Sequence, residues 1–405
     1  MMSRNYKTLS IFYLFCLFLQ AANAQTNLNF DYGSSIYQNG YVDQPYIVVL
    51  NDDSWLCTFT TSAKQEGSSG QHIVSTRSFN QGKTWTDTVQ IEPPGGPAAS
   101  WAMPYLTPYG RVYVFYSFNG DTVTTLNNKP IRNDMLGWYC YKYTDNGGQT
   151  WSERYRLPLR TTKADVNNDW KGEVQIFWGI GKPIEHGKYM SFGLTKLGKY
   201  MLEYGEGWFF QSNNIQTEKD PHKINWILLP DGMDGVRNPD FGSVQEEFNL
   251  VPINGDTLYA VYRTNLGFIA ETISFNNGHS WSLPDTARMF DETPLKNPRA
   301  CPRIWKTKKG LYLLWFHNHA GTGFANRNPG WITAGKWEQN RMIWTKAVPI
   351  IYSTDTSYQT GRLSYPDLIE QNGYYYISVT NKETGRILRI PKKNIRKLSR
   401  GTNKL

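Results

Sequence analysis

"SFNQGKTW", residues Ser78 to Trp85, returns as "TDNGGQTW" at Thr144 to Trp151 and as "SFNNGHSW" at Ser274 to Trp281. The common pattern, a box, is Ser/Thr-x-Asn-x-Gly-x-Thr/Ser-Trp. Short polar side chains cap a tight turn, the glycine takes a backbone conformation other residues avoid, and the tryptophan packs the turn onto the sheet below. Such a turn closes one antiparallel hairpin, so three copies predict three equivalent hairpins. The boxes start 66 and 130 residues apart, and the second interval is near twice the first, as if one intervening unit had lost its box. A fixed period of this size marks a repeat architecture.

Between the boxes run short segments such as "YIVVL", "SWLCTFTT", "RVYVFYSF", "GWYCYKYT", "TLYAVYRT" and "YYYISVT". They are rich in Val, Ile, Tyr, Phe and Trp and are bounded by Gly, Asn, Asp and Pro, the signature of strands and turns. No window shows capped helical periodicity. The expected fold is all-β: a β-propeller of four-stranded antiparallel blades, which hides its sheet edges by radial repetition. At ~54 to 65 residues per blade, six or seven blades fit, and seven is favoured.

The boxes resemble those of sialidase-type propellers. In that family the opening strand carries Tyr-Arg-Ile-Pro, whose arginine grips the substrate carboxylate, and a catalytic Asp precedes the first box. Here Tyr41-Val42-Asp43-Gln44-Pro45 replaces the motif without its arginine, and His72 stands six residues before the box. Both departures argue against sialic acid hydrolysis.

The strings "YVDQPYIVVL", "GQHIVSTRS", "ADVNNDWKGEVQIFWGIGKP", "RNPDFGSVQEEFNLVP", "PRACPRIWK", "WFHNHAGTGFANRNPGW" and "SYPDLIEQ" resemble seven-bladed propellers of Bacteroides and fungi. That family, first described as α-L-rhamnosidases and now grouped with rhamnosyl-glucuronate lyases, acts on rhamnose-capped glucuronate side chains of arabinogalactan. Propeller ulvan lyases are similar. The resemblance implies β-elimination on a uronate, which requires a base for the C5 proton, an acid for the departing O4 and a neutralised carboxylate. His72 is the expected base and acid, since imidazole exchanges protons near neutrality. Arg132 and Asn214, with Asn213 as the near equivalent, are the expected carboxylate partners. Relatives often carry a histidine where this chain has Val42, and the resemblance implies that a copy without it is inactive on the usual substrate or works from the other face of the ring.

Three further groups suit sugar contacts. "RNPDFGSVQEEF" concentrates Arg237, Glu246 and Glu247 in a polar segment; "WFHNHAGTGFANRNPGW" sets His317 and His319 on one strand face, followed by Arg327; Trp101 and Trp208 sit in loop-like contexts. Two imidazoles without a third ligand do not make a metal site. No cofactor is required, although a structural Ca²⁺ held by backbone oxygens in the central channel would suit a propeller.

Residues 1–24 read as a secretory signal peptide, with Arg4, Lys7, an apolar run from Leu9 to Leu19 and Ala22-Asn23-Ala24 before the cleavage point. The run is too short to span a bilayer, so a periplasmic or secreted protein without a membrane span is expected. The propeller is assigned to residues 25–391 and a basic, solvated tail to 392–405. Of the formal charge of +9, two units lie in the leader and six in the tail, which leaves a nearly neutral body and no nucleic-acid partner. Cys57, Cys140 and Cys301 are an odd count, expected as buried free thiols. The expected partner is an acidic plant polysaccharide, with exo-glycoside hydrolysis and non-catalytic glycan binding as the competing functions.

Overall fold

The computed structural model describes residues 28–324, 326–357 and 361–399; the leader with Cys16 and the last six residues lie outside them. Six antiparallel sheets follow one another along the chain. Blade 1 runs through Tyr41–Val49, Trp55–Ser62, His72–Ser78 and Val89–Gln90, and blade 2 through Ala99–Leu106, Val112–Phe118, Trp138–Thr144 and Tyr155–Arg156. Blade 3 comprises Phe177–Trp178, Tyr189–Lys199, Glu203–Ser212 and Ile227–Leu229, with Ile184–His186 as an added edge. Blade 4 comprises Gln245–Pro252, Leu258–Thr264, Ile269–Ser274 and Asp285–Thr286. Blade 5 uses Arg303–Lys306, Tyr312–Phe316, Gly330–Glu338 and Val348–Tyr352.

Blade 6 supplies only Ser364–Gln371, Tyr374–Thr380 and Gly385–Pro391 from the C-terminal end of the ring. Its fourth strand is Ser34–Tyr37, from the beginning of the chain, which pairs Ser34 with Ile387 and Ser35 with Arg386. Leu28–Asn29 also lies parallel to the outer strand of blade 5. The two ends of the chain therefore close the ring non-covalently.

The all-β propeller and its four-stranded blades stand, but the described residues form six blades rather than seven. The length expected to form a seventh blade goes into long connections, among them the ribbon Thr125–Leu126/Lys129–Pro130 and the helix Lys163–Asn167. A second helix, Lys392–Ser399, begins where a solvated tail was expected; Ile395 is buried against blades 5 and 6, and Lys392 Nζ lies 2.8 Å from Glu370 Oε2. No helix among the described residues is long and apolar enough to cross a membrane.

The box chemistry holds atom by atom. Gly82, Gly148 and Gly278 have φ of 79°, 87° and 92°, and their amides donate to Ser78 Oγ, Thr144 Oγ1 and Ser274 Oγ at 2.9, 3.0 and 2.8 Å. Two of the box tryptophans pack against the preceding blade rather than only their own sheet. Trp281 stacks on Phe209 at 4.4 Å, and Trp151 Nε1 donates to Ser75 Oγ at 3.2 Å. The boxes therefore bind neighbouring blades together. The unit that lost its box is blade 3, where Ser212 Oγ still donates to Asn214 Oδ1 at 3.3 Å in the equivalent hairpin. Cys57, Cys140 and Cys301 are buried free thiols, as expected.

Candidate active site

The inner strands of four blades break register at the same level, between Asp43 and Tyr46, Ser100 and Met103, Glu246 and Asn249, and Ser364 and Asp367. Each bulge holds a non-glycine residue at positive φ: Gln44 at 52°, Trp101 at 61°, Glu247 at 62° and Tyr365 at 47°. Such conformations cost of order 1–3 kcal/mol each and persist where the surroundings impose them. A bulge re-aims a side chain. Trp101, Glu247 and Tyr365 line one cavity of about 200 Å³, while Gln44, fully buried, leaves both amide atoms without a hydrogen-bond partner.

The rest of the wall comes mostly from loops between the second and third strands of the blades. These supply Glu66, Arg132, Met201 and Leu202, Phe324 with Arg327, and Lys382; Arg263 comes from the second strand of blade 4 and Arg362 from the approach to blade 6. The boxes sit in hairpins between third and fourth strands, at the opposite face.

Tyr365 Oη donates to Glu247 Oε1 at 2.7 Å. Burial, reinforced by Glu247, holds the phenol well above its usual pKa, so it is a protonated hydroxyl at rest. Arg263 bridges two carboxylates, with Nη1 2.8 Å from Glu247 Oε2 and Nη2 2.7 Å from Glu246 Oε2. Arg299 holds the other Glu246 oxygen at 2.6 Å. Arg327 donates to Ser364 Oγ at 3.1 Å and to the Arg299 carbonyl at 2.5 Å. The guanidinium groups of Arg299, Arg327 and Arg263 lie 4.8, 5.6 and 5.8 Å from the centroid of Phe324, which spaces them at cation–π distance.

On the opposite wall, Glu66 lies 2.7 Å from Arg132 Nη2 and 3.3 Å from Lys382 Nζ. Burial raises its carboxyl, but Lys382 and Arg132 outweigh that and hold it well below the ordinary range. Arg132 is also clamped by Asp134 at 2.6 Å, and Lys382 by Asp43 at 2.8 Å, with Lys382 Nζ 4.5 Å above the Tyr365 ring. Five cationic side chains and two carboxylates line the cavity, with Asp134, Asp43 and Glu246 behind Arg132, Lys382 and Arg263.

Of the residues singled out from the sequence, Arg132, Glu247, Arg327 and Trp101 meet in this cavity. Glu246 lies behind the wall as the anchor of Arg263 and Arg299. None of the six histidines lines the cavity. His72 opens the third strand of blade 1 and its Nδ1 sits 2.7 Å from the Gly70 carbonyl. His317 is buried against the Pro329 carbonyl, and His319 bonds the Asn326 carbonyl at 2.8 Å. Asn214 and Asn213 belong to the box-like hairpin on the far face, where Asn214 Oδ1 accepts from the Asn225 amide at 2.9 Å and Asn213 Oδ1 from Asn225 Nδ2 at 3.3 Å. Trp208 is not in a loop: it lies within Glu203–Ser212, fully buried, with Nε1 bonded to Glu206 Oε1 at 2.8 Å. Arg237 borders a different pocket beside blade 3. Sequence reading passed over Arg263, Tyr365, Glu66 and Lys382. Glu66 and Lys382 lie in hairpins of ordinary turn composition, and Arg263 and Tyr365 within strand runs, so only the ring reveals their convergence. Among the described residues, no group of three or more His, Cys, Asp or Glu side chains could hold a metal ion.

Solved structures match this arrangement of blades over most of the chain. A sialidase from Hadza microbes aligns with a TM-score of 0.61 at 16% identity, over 88% of this chain and 67% of that one. The fold is that of sialidase-like propellers. The intramolecular trans-sialidase of Ruminococcus gnavus, solved with oseltamivir carboxylate, aligns at 0.59 and 16% identity over 89% of this chain and 98% of that one. A protein of unknown function from Dyadobacter fermentans reaches 0.63 at 13% identity, over 88% and 97% of the two chains. Neither a family model nor any curated protein matches the sequence.

Proposed function

We propose that this chain is an exo-acting glycosidase for a terminal acidic sugar, with Tyr365 as nucleophile and Glu247 as its base. The observation that carries the reading is the 2.7 Å bond from Tyr365 Oη to Glu247 Oε1 within a cavity lined by five cationic side chains. A sugar whose carboxylate adjoins the anomeric carbon would repel a carboxylate nucleophile, whereas a neutral phenol approaches freely; sialidases use tyrosine in this way. Tyr365 attacks the anomeric carbon as its proton passes to Glu247, the aglycone departs as an oxyanion that takes a proton from water, and a second water then displaces the sugar from the tyrosyl oxygen, which recovers its proton from Glu247. Arg263, held between Glu246 and Glu247, and Arg327, whose buried Nε has no hydrogen-bond partner, supply positive charge beside the sugar carboxylate. A cavity of about 200 Å³ lies below the ~300–1,000 Å³ of drug-sized sites and suits a single ring. The sialidase and trans-sialidase neighbours support a carbohydrate substrate at this coarse level.

Elimination at a rhamnose-capped glucuronate fits less well. The expected base, His72, is not among the cavity residues, and a neutral terminal rhamnose would make no use of the arginines. The test is to offer the purified protein aryl glycosides of a 2-keto sugar acid and of glucuronic acid, together with rhamnose-capped arabinogalactan. Release of phenol, with a labelled peptide containing Tyr365 after trapping with a fluorinated acidic sugar, supports the proposal. Near-ultraviolet absorbance from a C4=C5 double bond without hydrolysis, or full activity in Tyr365→Phe, overturns it.

A further inference from the structure

Beside blade 3 a second pocket of about 610 Å³ opens toward the same face. The hairpin between Tyr189–Lys199 and Glu203–Ser212 is the partition between the two sites. Met201 and Leu202 line the axial cavity, while Lys199 and Tyr204 line the second pocket. Tyr204 is 51% exposed at φ 54°, an uncommon conformation for an aromatic residue that turns it out of the strand. Its backbone amide is tied to Ser243 Oγ at 2.7 Å, and Gly198 leaves it room, since a Cβ there would stand 3.1 Å from Tyr204 Cβ. The polar edge is prepared too: Arg237 has a buried Nε without a hydrogen-bond partner, and Asp169 and Asn167 border the same space.

The charge of this pocket differs from that of the axial one. Four cationic side chains face three carboxylates, and Lys163 is already paired with Asp234 at 2.8 Å. The excess is one positive charge, against three in the axial lining, so a second anion meets a weaker field here. An exposed aromatic face beside amide, carboxylate and guanidinium groups suits the apolar face and hydroxyls of an uncharged pyranose.

We propose that this pocket is a second glycan subsite, which binds a neutral sugar residue of the same chain whose acidic terminus enters the axial cavity, with Tyr204 as its stacking platform. The link to a terminal acidic sugar rests on the function proposed above; the binding of a neutral ring does not.

The experiment is a calorimetric and NMR titration of the intact purified protein with lactose, cellobiose and neutral arabinogalactan oligosaccharides. Wild type, Tyr204→Asn, Tyr204→Phe and Tyr365→Phe are compared. Asparagine tolerates the positive φ, so the fold is kept while the ring is lost. Saturable binding of at least one probe in wild type, Tyr204→Phe and Tyr365→Phe, weakened tenfold or more in Tyr204→Asn, is the expected result. Absence of saturable binding for every probe, or equal affinity in Tyr204→Asn, overturns the subsite. An inactive enzyme that still binds in a Tyr204-dependent way would refute the proposed reaction and leave the subsite standing. In an active enzyme, Tyr204→Asn raises KM for oligosaccharides and leaves KM for aryl monosaccharides unchanged.

Discussion

Tyr365 and Glu247 occupy equivalent bulges on the inner strands of blades 6 and 4 and meet across the propeller axis at 2.7 Å. Neither reaches the other without the bulge, because a regular pleat would turn each side chain away from the common hollow.

This pairing sets the first expectation. Tyr365→Phe should lower kcat by about 10³-fold or more as the nucleophile is lost, and Glu247→Gln by ~10²-fold as the base is lost, the range typical of general base catalysis. Steady-state kinetics with aryl glycosides, alongside thermal melts to confirm folding, checks both.

The clamp on Glu66 predicts an unusual leaving-group dependence. A carboxyl held ionised by Lys382 and Arg132 does not donate a proton to the aglycone near neutrality. Rates at pH 7 should therefore rise steeply as the phenol leaving group becomes more acidic. A flat plot of log kcat/KM against leaving-group pKa would contradict this.

His72 and Asn214 should be dispensable for catalysis. His72→Ala is expected to leave kcat/KM within about twofold. Asn214→Ala should leave it equally unchanged but lower stability by ~1 kcal/mol, since it removes a side-chain cap from the blade 3 hairpin. Kinetics and urea unfolding on both variants separate the two effects.

Acid should destabilise the fold earlier than carboxylate titration alone would require. Burial, with Arg327 adding to it, pushes His317 down to about 3, and burial pushes His186 to about 4. Both pKa values are depressed below the ordinary 6.5, so the unfolded chain takes up protons first. Stability is complete above pH 6.5 and falls as pH drops toward 4, by about 1.4 kcal/mol per pH unit for each histidine. Urea midpoints at pH 7.5, 6 and 5 test this, and His186→Gln should flatten the slope.

Ring closure predicts that removal of residues up to Gln38 is severely destabilising. Deletion strips blade 6 of its outer strand and exposes Gly385–Pro391 as an open edge. Loss of the cooperative melt, or aggregation on expression, is the expected outcome.

The blade-forming hairpins were legible in the sequence because their chemistry is local. A hydroxyl, an amide and a glycine within five residues satisfy one another wherever the turn is placed, and alternating Val, Tyr and Trp on either side commit the flanks to strands. The interval of 130 residues even pointed to blade 3, where Ser212 and Asn214 keep a remnant of the motif. Blade number was not legible, since long connections and an additional blade look alike in length.

The site itself belongs to the ring. Arg132, Glu247, Arg327 and Trp101 were picked out by residue type, but Glu66, Arg263, Tyr365 and Lys382 carry no motif, and His72 stands outside the cavity against the Gly70 carbonyl. Sequence alone determined an all-β wheel built from capped turns, because those contacts span a few residues. Only the tertiary structure decided which side chains face one another, because bulges on separate inner strands and closure of the ring by Ser34–Tyr37 bring together groups more than three hundred residues apart, such as Asp43 and Lys382.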